Sequence, residues 1–276
     1  MIVSLAAEVK ELASLIQAHK TLVLTGAGMS TESGIPDYRG PESIKKTRNP
    51  IRYQQFLASH EARQRYWARS MRGWPVMARA VPNEGHRALT ELEQKAAVVA
   101  VMTQNVDGLH QKAGSEKVLE LHGGLSRVVC LDCGWLEPRE RLHRRLAHLN
   151  PDFGAQLSEI APDGDAEISE DLIKDFQVAK CLSCGGILKP DVVFFGENVP
   201  ANRLEQAWQY FADADLLLVL GSSLTVFSGY RFAVKAAQEK KPLLIINQGE
   251  TRADGLASLK LEQRLGPLLS DLADLL

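Results

Sequence analysis

A chain of 276 residues, 45% apolar and 24% charged, has the make-up of a globular protein. It is long enough for one large α/β domain with an insertion, or for two modest domains. A net charge of −2 gives no general attraction to nucleic acid or to an anionic membrane, and no apolar run reaches the length of a membrane span. Neither a signal-peptide cleavage site nor an Arg-rich transit peptide is evident at the start, so a cytoplasmic protein without membrane or nucleic-acid partners is expected. In that compartment four cysteines in two Cys-x-x-Cys pairs favour metal over disulfides.

The first predicted element is an amphipathic helix over Met1–Lys20, with Val3, Leu5, Ala6, Val9, Leu12, Ala13 and Ile16 on its apolar side. Thr21–Leu24 then reads as a strand buried on both faces, as do Val98–Met102, Leu216–Leu220 and Leu243–Ile246. Helix-like stretches separate these runs, the signature of a parallel sheet. Each run ends in small or hydrogen-bonding residues: Gly26-Ala27-Gly28, Gln104-Asn105-Val106-Asp107, Gly221-Ser222-Ser223 and Asn247-Gln248-Gly249. Open α/β sheets bind ligands at the carboxyl ends of their strands, so four such loops predict one shared crevice.

Gly26 and Gly28 allow a tight turn and close approach to a pyrophosphate at a helix N-terminus. The third glycine of the dehydrogenase fingerprint is replaced by Thr31, and no acidic residue ends a second strand about 20 residues on, where a dehydrogenase holds the ribose. A stiff polar loop follows instead, Ser33-Gly34-Ile35-Pro36-Asp37-Tyr38-Arg39-Gly40. A nucleotide bound here need not serve hydride transfer. Further on, Glu120-Leu121-His122-Gly123-Gly124 sets one imidazole, the side chain suited to proton transfer near neutrality, beside two glycines. His110, close to the Asp107 motif, reads as structural.

Cys130-Leu131-Asp132-Cys133 and Cys181-Leu182-Ser183-Cys184, with 47 intervening residues, predict one structural zinc ion. Four thiolates fill a tetrahedral shell and leave no place for a catalytic water. Between the pairs lie a basic helical stretch (Arg139, Arg141, Arg144, Arg145) and an acidic one (Asp163 to Asp175), both expected to be solvated faces.

Taken together, these motifs resemble the sirtuins, the NAD-dependent protein-lysine deacylases. The likeness runs from about Thr21 to Asn247 and includes Val193-Phe194-Phe195-Gly196-Glu197; the long zinc spacing and Lys189-Pro190-Asp191 look closest to the class II branch. The resemblance implies an α/β fold in which a Rossmann-type parallel sheet (residues 1–40, 84–125 and 190–276) joins a smaller lobe. That lobe would combine a helical module (41–83) with a zinc module (126–189). NAD would be the co-substrate, with Ala27, Ser30, Ile35, Asn105, Val106 and Asp107 around nicotinamide, and Pro36 and Asp37 beside them. Arg39, Gln104, Ser222 and Ser223 would reach ribose or phosphate; Asn247, Gln248, Gly249 and the Leu265 backbone would serve the adenosine end. Tyr38 stands where the family commonly has Phe, over the reacting ribose. A strand at Val193–Glu197 would pair with the substrate peptide.

In the mechanism implied, the acyl oxygen attacks the anomeric carbon as nicotinamide leaves, and Asn105 and His122 are the catalytic pair. His122 acts as general base on a ribose hydroxyl that attacks the resulting alkylimidate, and water completes release of lysine and O-acyl-ADP-ribose. Protein ADP-ribosylation at the same site is the alternative. Tyr66 and Arg69, one helical turn apart, match a Tyr-x-x-Arg pair that grips acidic acyl chains, so acidic or bulky acyl groups are expected over acetyl.

Overall fold

The computed structural model describes residues 2–38, 50–153, 161–166 and 173–276. Helix α1 (Ile2–Ala18) buries Val9, Leu12, Ala13 and Ile16, the stripe that a 3.6-residue period dictates. β1 (Thr21–Thr25) follows and is buried at every position. With β2 (Val98–Thr103), β3 (Val118–Glu120), β7 (Leu216–Leu220), β8 (Leu243–Ile246) and β9 (Leu259–Leu261) it forms a six-stranded sheet in the order β3-β2-β1-β7-β8-β9. All its pairings are parallel.

Apolar side chains leave both faces of this sheet, which is why the strands read as unbroken hydrophobic runs. Val23, Val101, Leu218, Leu220, Leu244 and Ile246 pack under α1, α4 (Glu84–Lys95) and α9 (Leu265–Leu275). Leu22, Leu24, Met102, Leu217, Val219 and Ile245 pack under α7 (Ala201–Asp213) and α8 (Phe227–Gln238). The edge strands β3 and β9 were not legible as strands: each has three residues, and the polar Glu120 and Lys260 interrupt them. From β1 the chain winds outward to β2 and β3, then returns to the other side of β1 to build β7, β8 and β9. The winding therefore reverses between β1 and β7, and a crevice opens above their carboxyl ends.

The smaller lobe has a three-stranded antiparallel sheet, β5-β4-β6, from β4 (Gly123–Cys130), β5 (Leu136–Pro138) and β6 (Leu188–Val192). Helices α2 (Tyr53–Ala58), α3 (His60–Arg79) and α6 (Arg139–Leu149) close over it around Phe56, Trp67, Leu125, Val128, Leu142 and Leu146. β4 and β6 run continuously from the crevice into the cysteine module: Gly123 pairs with Val192 and Cys130 with Leu188. The expected module limits at 125/126 and 189/190 thus fall inside two strands. Of the helical module expected over 41–83, residues 41–49 lie outside the described residues.

Two stretches expected to be solvated are so only in part: Arg141, Arg144 and Asp175 are exposed, whereas Arg139 and Asp165 are buried. Arg139 is 1% exposed; its Nη2 donates to Ser70 O and Oγ at 3.1 Å, and its guanidinium lies 5.4 and 5.1 Å from the Trp67 and Trp74 ring centres. Two indole faces and two oxygens replace water there, and charge spacing along a helix does not report such partners. In the acidic stretch, Asp165 is buried beside Arg69 (Nε–Oδ2 3.5 Å), while residues 167–172 lie outside the described residues. The segment carrying Asp165 presses directly on α3, since a Cβ at Gly73 would lie 1.8 Å from Gly164 O.

Helix α5 (Leu109–Ala113) brings His110 under the large sheet, where its Nε2 is 2.9 Å from Thr25 Oγ1 and its ring is 4.9 Å from that of His86 on α4. Burial pushes His110 down to about 3 and His86 to about 4. Below the ordinary histidine value the unfolded chain takes up protons that the native state refuses, so stability falls as pH drops from about 6.5. Each of the two histidines should steepen the loss progressively from pH 6.5, toward a limit of about 1.4 kcal/mol per pH unit near pH 5. Urea denaturation across that range should show this slope, and His110→Asn should flatten it; a pH-independent midpoint would mean that both rings protonate in the folded state.

Candidate active site

The loops that end β1, β2, β7 and β8 line a single cleft of about 810 Å³. After β1 the chain turns through two short 3-10 segments, Ala27–Met29 and Thr31–Ser33. Gly26 N donates to Leu220 O (3.0 Å) and Gly28 N to Gly221 O (2.9 Å). A Cβ at Gly26 would meet Ser222 Cβ at 2.7 Å, and one at Gly28 would meet Gly221 Cα at 2.9 Å. Both glycines are needed for the β1 and β7 loops to touch, whatever ligand lies above them. Asn83, which caps α4 through His86 N, also donates from Nδ2 to Met29 O at 2.8 Å, anchoring the loop from below.

The β2 loop closes onto this floor. Asn105 Nδ2 donates to Gly26 O (2.9 Å) and Ser30 Oγ (3.0 Å), and Ser30 Oγ donates to Asp107 Oδ2 (2.7 Å). Asp107 Oδ1 accepts from Leu109 N at 2.9 Å. Burial lifts the Asp107 carboxyl above its usual range, and the Leu109 and Ser30 hydrogen bonds hold the rise in check. Gln104 reaches across to β7, accepting from Ser222 Oγ at 2.7 Å, with Gly229 leaving room: a Cβ there would lie 2.6 Å from Gln104 Nε2.

His122 stands on the far wall. Its Nδ1 is 2.9 Å from Gln104 O and its Nε2 is 2.7 Å from Ser228 Oγ. A carbonyl only accepts, so Nδ1 carries the proton and Nε2 offers a lone pair to the Ser228 hydroxyl. Burial pushes the imidazole down to about 4; the Gln104 carbonyl pulls it up and the Arg203 charge pushes it further down. At neutral pH the ring is uncharged, the state in which it can accept a proton.

Most residues expected at the site line this cleft: Gly26, Ala27, Gly28, Ser30, Ile35, Asp37, Tyr38, Gln104 to Asp107, His122, Val193 to Glu197, Gly221 to Ser223 and Asn247 to Gly249. Tyr38 meets Phe195 edge-on, ring centres 6.1 Å apart. Pro36 stays out of the lining, and Arg39 lies outside the described residues. Leu265, expected at the adenosine end, opens α9 and is 7% exposed within the core beneath the sheet, away from the lining.

Two expectations need correction. Val193–Glu197 is a loop and not a strand: β6 stops at Val192, Val193 N donates to His122 O (2.8 Å), and Phe195 only bridges to Arg52. Gly196 has φ 81° there, a left-handed turn that ends extended pairing. The ion pair between Lys189 Nζ and Glu197 Oε2 (3.0 Å), with Phe194 N donating to the same oxygen (2.8 Å), folds the loop back on β6. The second correction concerns Arg69. Tyr66 does line the cleft, wedged among Phe56, Trp67 and Phe194, but Arg69 turns away and donates from Nε to Ala166 O at 3.0 Å. A three-residue spacing puts two side chains on one side of a helix; it does not make them share a pocket.

Ser228, Thr225, Arg231, Pro162 and Asp163 also line the cleft and were not foreseen. Ser228 is 106 positions from the histidine it contacts, and Asp163 arrives from the stretch between the cysteine pairs, so no local pattern announces either.

In the smaller lobe the four cysteine sulfurs lie within 4.8 Å of one another, with Cys130–Cys184 at 3.5 Å and Cys133–Cys181 at 3.8 Å. Four thiolates about 2.3 Å from one tetrahedral zinc ion need such spacing. Both knuckles use the same turn: Gly134 N donates to Cys130 O and Gly185 N to Cys181 O, each at 3.0 Å, with φ 73° and 76° at the glycines. The donor set therefore fits zinc.

A doubly wound fold with a cleft at its strand ends, an uncharged imidazole on the cleft wall and a four-cysteine lobe suit an enzyme that binds a nucleotide and moves a proton. The Sir2 family model matches residues 26–228. Over 262 residues the chain is 53% identical to NAD-dependent protein deacetylase 1 of Streptomyces coelicolor, covering 95% of this chain and 88% of that one. It is 49% identical over 266 residues to the mitochondrial NAD-dependent protein lipoamidase sirtuin-4 of Homo sapiens, covering 95% and 85%. A solved Sir2 complex with a p53 peptide and NAD+ superposes with a TM-score of 0.76 at 32% identity, over 96% and 97% of the two chains. The chain belongs to the Sir2 family, the sirtuins, and is an NAD-dependent protein deacylase with NAD as its co-substrate.

The purified protein should carry one zinc per chain by elemental analysis. Cys181→Ala should lose the metal and unfold the smaller lobe, lowering the melting temperature; full stability of the metal-free variant would make the ion dispensable.

Proposed function

We propose that this enzyme removes acyl groups from protein lysines with His122 as the general base, yielding nicotinamide and O-acyl-ADP-ribose. The observation that carries the reading is the tautomer of His122, with Nδ1–H on the Gln104 carbonyl and the Nε2 lone pair on the Ser228 hydroxyl, both residues lining the cleft with the four strand-end loops. NAD supplies an electrophilic sugar carbon and a neutral leaving group. The chain's part is to seat the dinucleotide along the β1, β2, β7 and β8 loops, and to take a ribose proton onto Nε2. The Asn105–Ser30–Asp107 network would hold the nicotinamide end, with Asn105 facing the reacting centre. Ser222, Ser223 and Gln104 would serve ribose or phosphate, and Asn247, Gln248 and Gly249 the adenosine end. The Val193–Glu197 loop would receive the substrate backbone.

His122→Ala should cut deacylation by about 10²- to 10⁴-fold while fold and zinc content stay unchanged, read by mass analysis of an acyl-lysine peptide incubated with NAD. Retained turnover would remove His122 from the mechanism. The same assay with labelled NAD reports any transfer of ADP-ribose to protein.

The acyl end of the cleft points to a bulky, uncharged chain. Arg69 is committed to Asp165 and Ala166, so it does not offer a grip for an acidic acyl group. Tyr66, Phe194, Ile35 and Ile51 make an apolar wall, and Asp163 adds an acid to the lining. Burial, with Asp165 and Asp163 next, raises the Tyr66 phenol well above its usual range, so it stays neutral. A relative at 49% identity is itself a lipoamidase. Among acetyl-, glutaryl- and lipoyl-lysine peptides, lipoyl should give the highest kcat/KM and glutaryl the lowest; a glutaryl preference would reverse this reading.

A further inference from the structure

Ser228 is hydrogen-bonded to the reactive nitrogen of His122, and nothing in the sequence analysis assigns it a role. It sits in the first turn of α8, is 8% exposed, and lines the cleft with its Oγ 2.7 Å from His122 Nε2. Because the Gln104 carbonyl fixes the proton on Nδ1, the serine hydroxyl must donate to Nε2. The imidazole is thus held at both nitrogens, by backbone on one side and by a hydroxyl on the other.

We infer that Ser228 is a positioning residue for His122: its hydroxyl keeps the neutral ring in place with Nε2 aimed into the cleft, and yields that lone pair to the sugar hydroxyl when substrate arrives. The inference rests on the general-base reading of His122. Physically, a hydrogen bond donated to the unprotonated nitrogen favours the neutral ring, as burial does. The donor also fixes the ring's rotation about its bond to the chain, which the Gln104 contact alone permits to swing. No proton leaves the serine in this role; when the ribose hydroxyl is deprotonated, its proton goes to Nε2.

Other charged groups stand near the ring or line its cleft. Arg203 of α7 opposes its protonation and is itself 3.4 Å from Asp191 of β6. Glu120, on the strand leading to His122, is paired with Arg127 at 2.7 Å. Asp107 from the β2 loop, Glu197 from the loop after β6 and Arg231 from α8 line the cleft. All of these are present with or without the serine hydroxyl, so removing that one atom isolates its effect.

The experiment compares wild-type, Ser228→Ala and Ser228→Thr proteins by nitrogen-detected NMR titration of His122 and by the pH profile of kcat/KM for an acyl-lysine peptide. Ser228→Ala should raise the His122 pKa, and with it the acid limb of the profile, by about half a unit to one unit. It should slow deacylation several-fold at neutral pH while leaving nicotinamide exchange, which precedes the base step, at the wild-type rate. Ser228→Thr, which restores the hydroxyl, should return both pKa and rate toward wild type. An unchanged His122 pKa in Ser228→Ala, or an equal loss in exchange and deacylation that threonine does not rescue, would overturn the inference. His122→Ala run in parallel separates the two levels. If it keeps deacylation the base assignment fails, whereas its loss with an unshifted Ser228→Ala titration rejects only the serine's role.

Discussion

The contact between the β1 and β7 loops is the constraint on which the site depends. Parallel strands that wind outward in opposite directions leave a gap at their reversal, and here Gly26 and Gly28 let that gap close to backbone contact with Gly221 and Ser222. Everything above the contact inherits its geometry. Asn105 is aligned by Gly26 O, Gln104 is aligned by Ser222, and the Gln104 carbonyl in turn sets the tautomer of His122. A side chain at either glycine would part the loops and loosen three site residues at once.

Desolvation tunes the titrating groups of the cleft in opposite directions from a common cause. Removing water disfavours charge, which pushes His122 down to about 4 and Asp107 upward. The outcomes differ in use: an uncharged imidazole is ready to accept a proton, and a carboxyl held by Ser30 and Leu109 N serves as a fixed acceptor in the wall. The four cysteines stand outside the lining of the cleft. Their ion site lies at the far ends of β4 and β6, whose near ends, Gly123 and Val192, border the cleft. Metal and chemistry are joined by two strands and share no ligand.

Much of this was legible in the order of residues. Four strands and their polar ends could be read because a strand buried on both faces needs an unbroken apolar run, and its loop needs small or hydrogen-bonding residues. The cysteine pairs could be read because one ion demands that spacing. Arg69 and the Val193–Glu197 segment were not, because each depends on what packs against it. Asp165 claims Arg69, and Lys189 folds the segment back through Glu197.

Sequence by itself thus determined the elements with local causes: the buried parallel strands, the glycine turns, the four thiolates and the histidine beside two glycines. Tertiary structure alone decided which distant groups meet, among them Ser228 at His122, Asp163 beside Tyr66, and Arg139 between two tryptophans. The division follows range. Periodicity and turn chemistry act over a few residues and leave a pattern in the chain, whereas a hydrogen bond across 106 positions exists only once the sheet has brought its ends together.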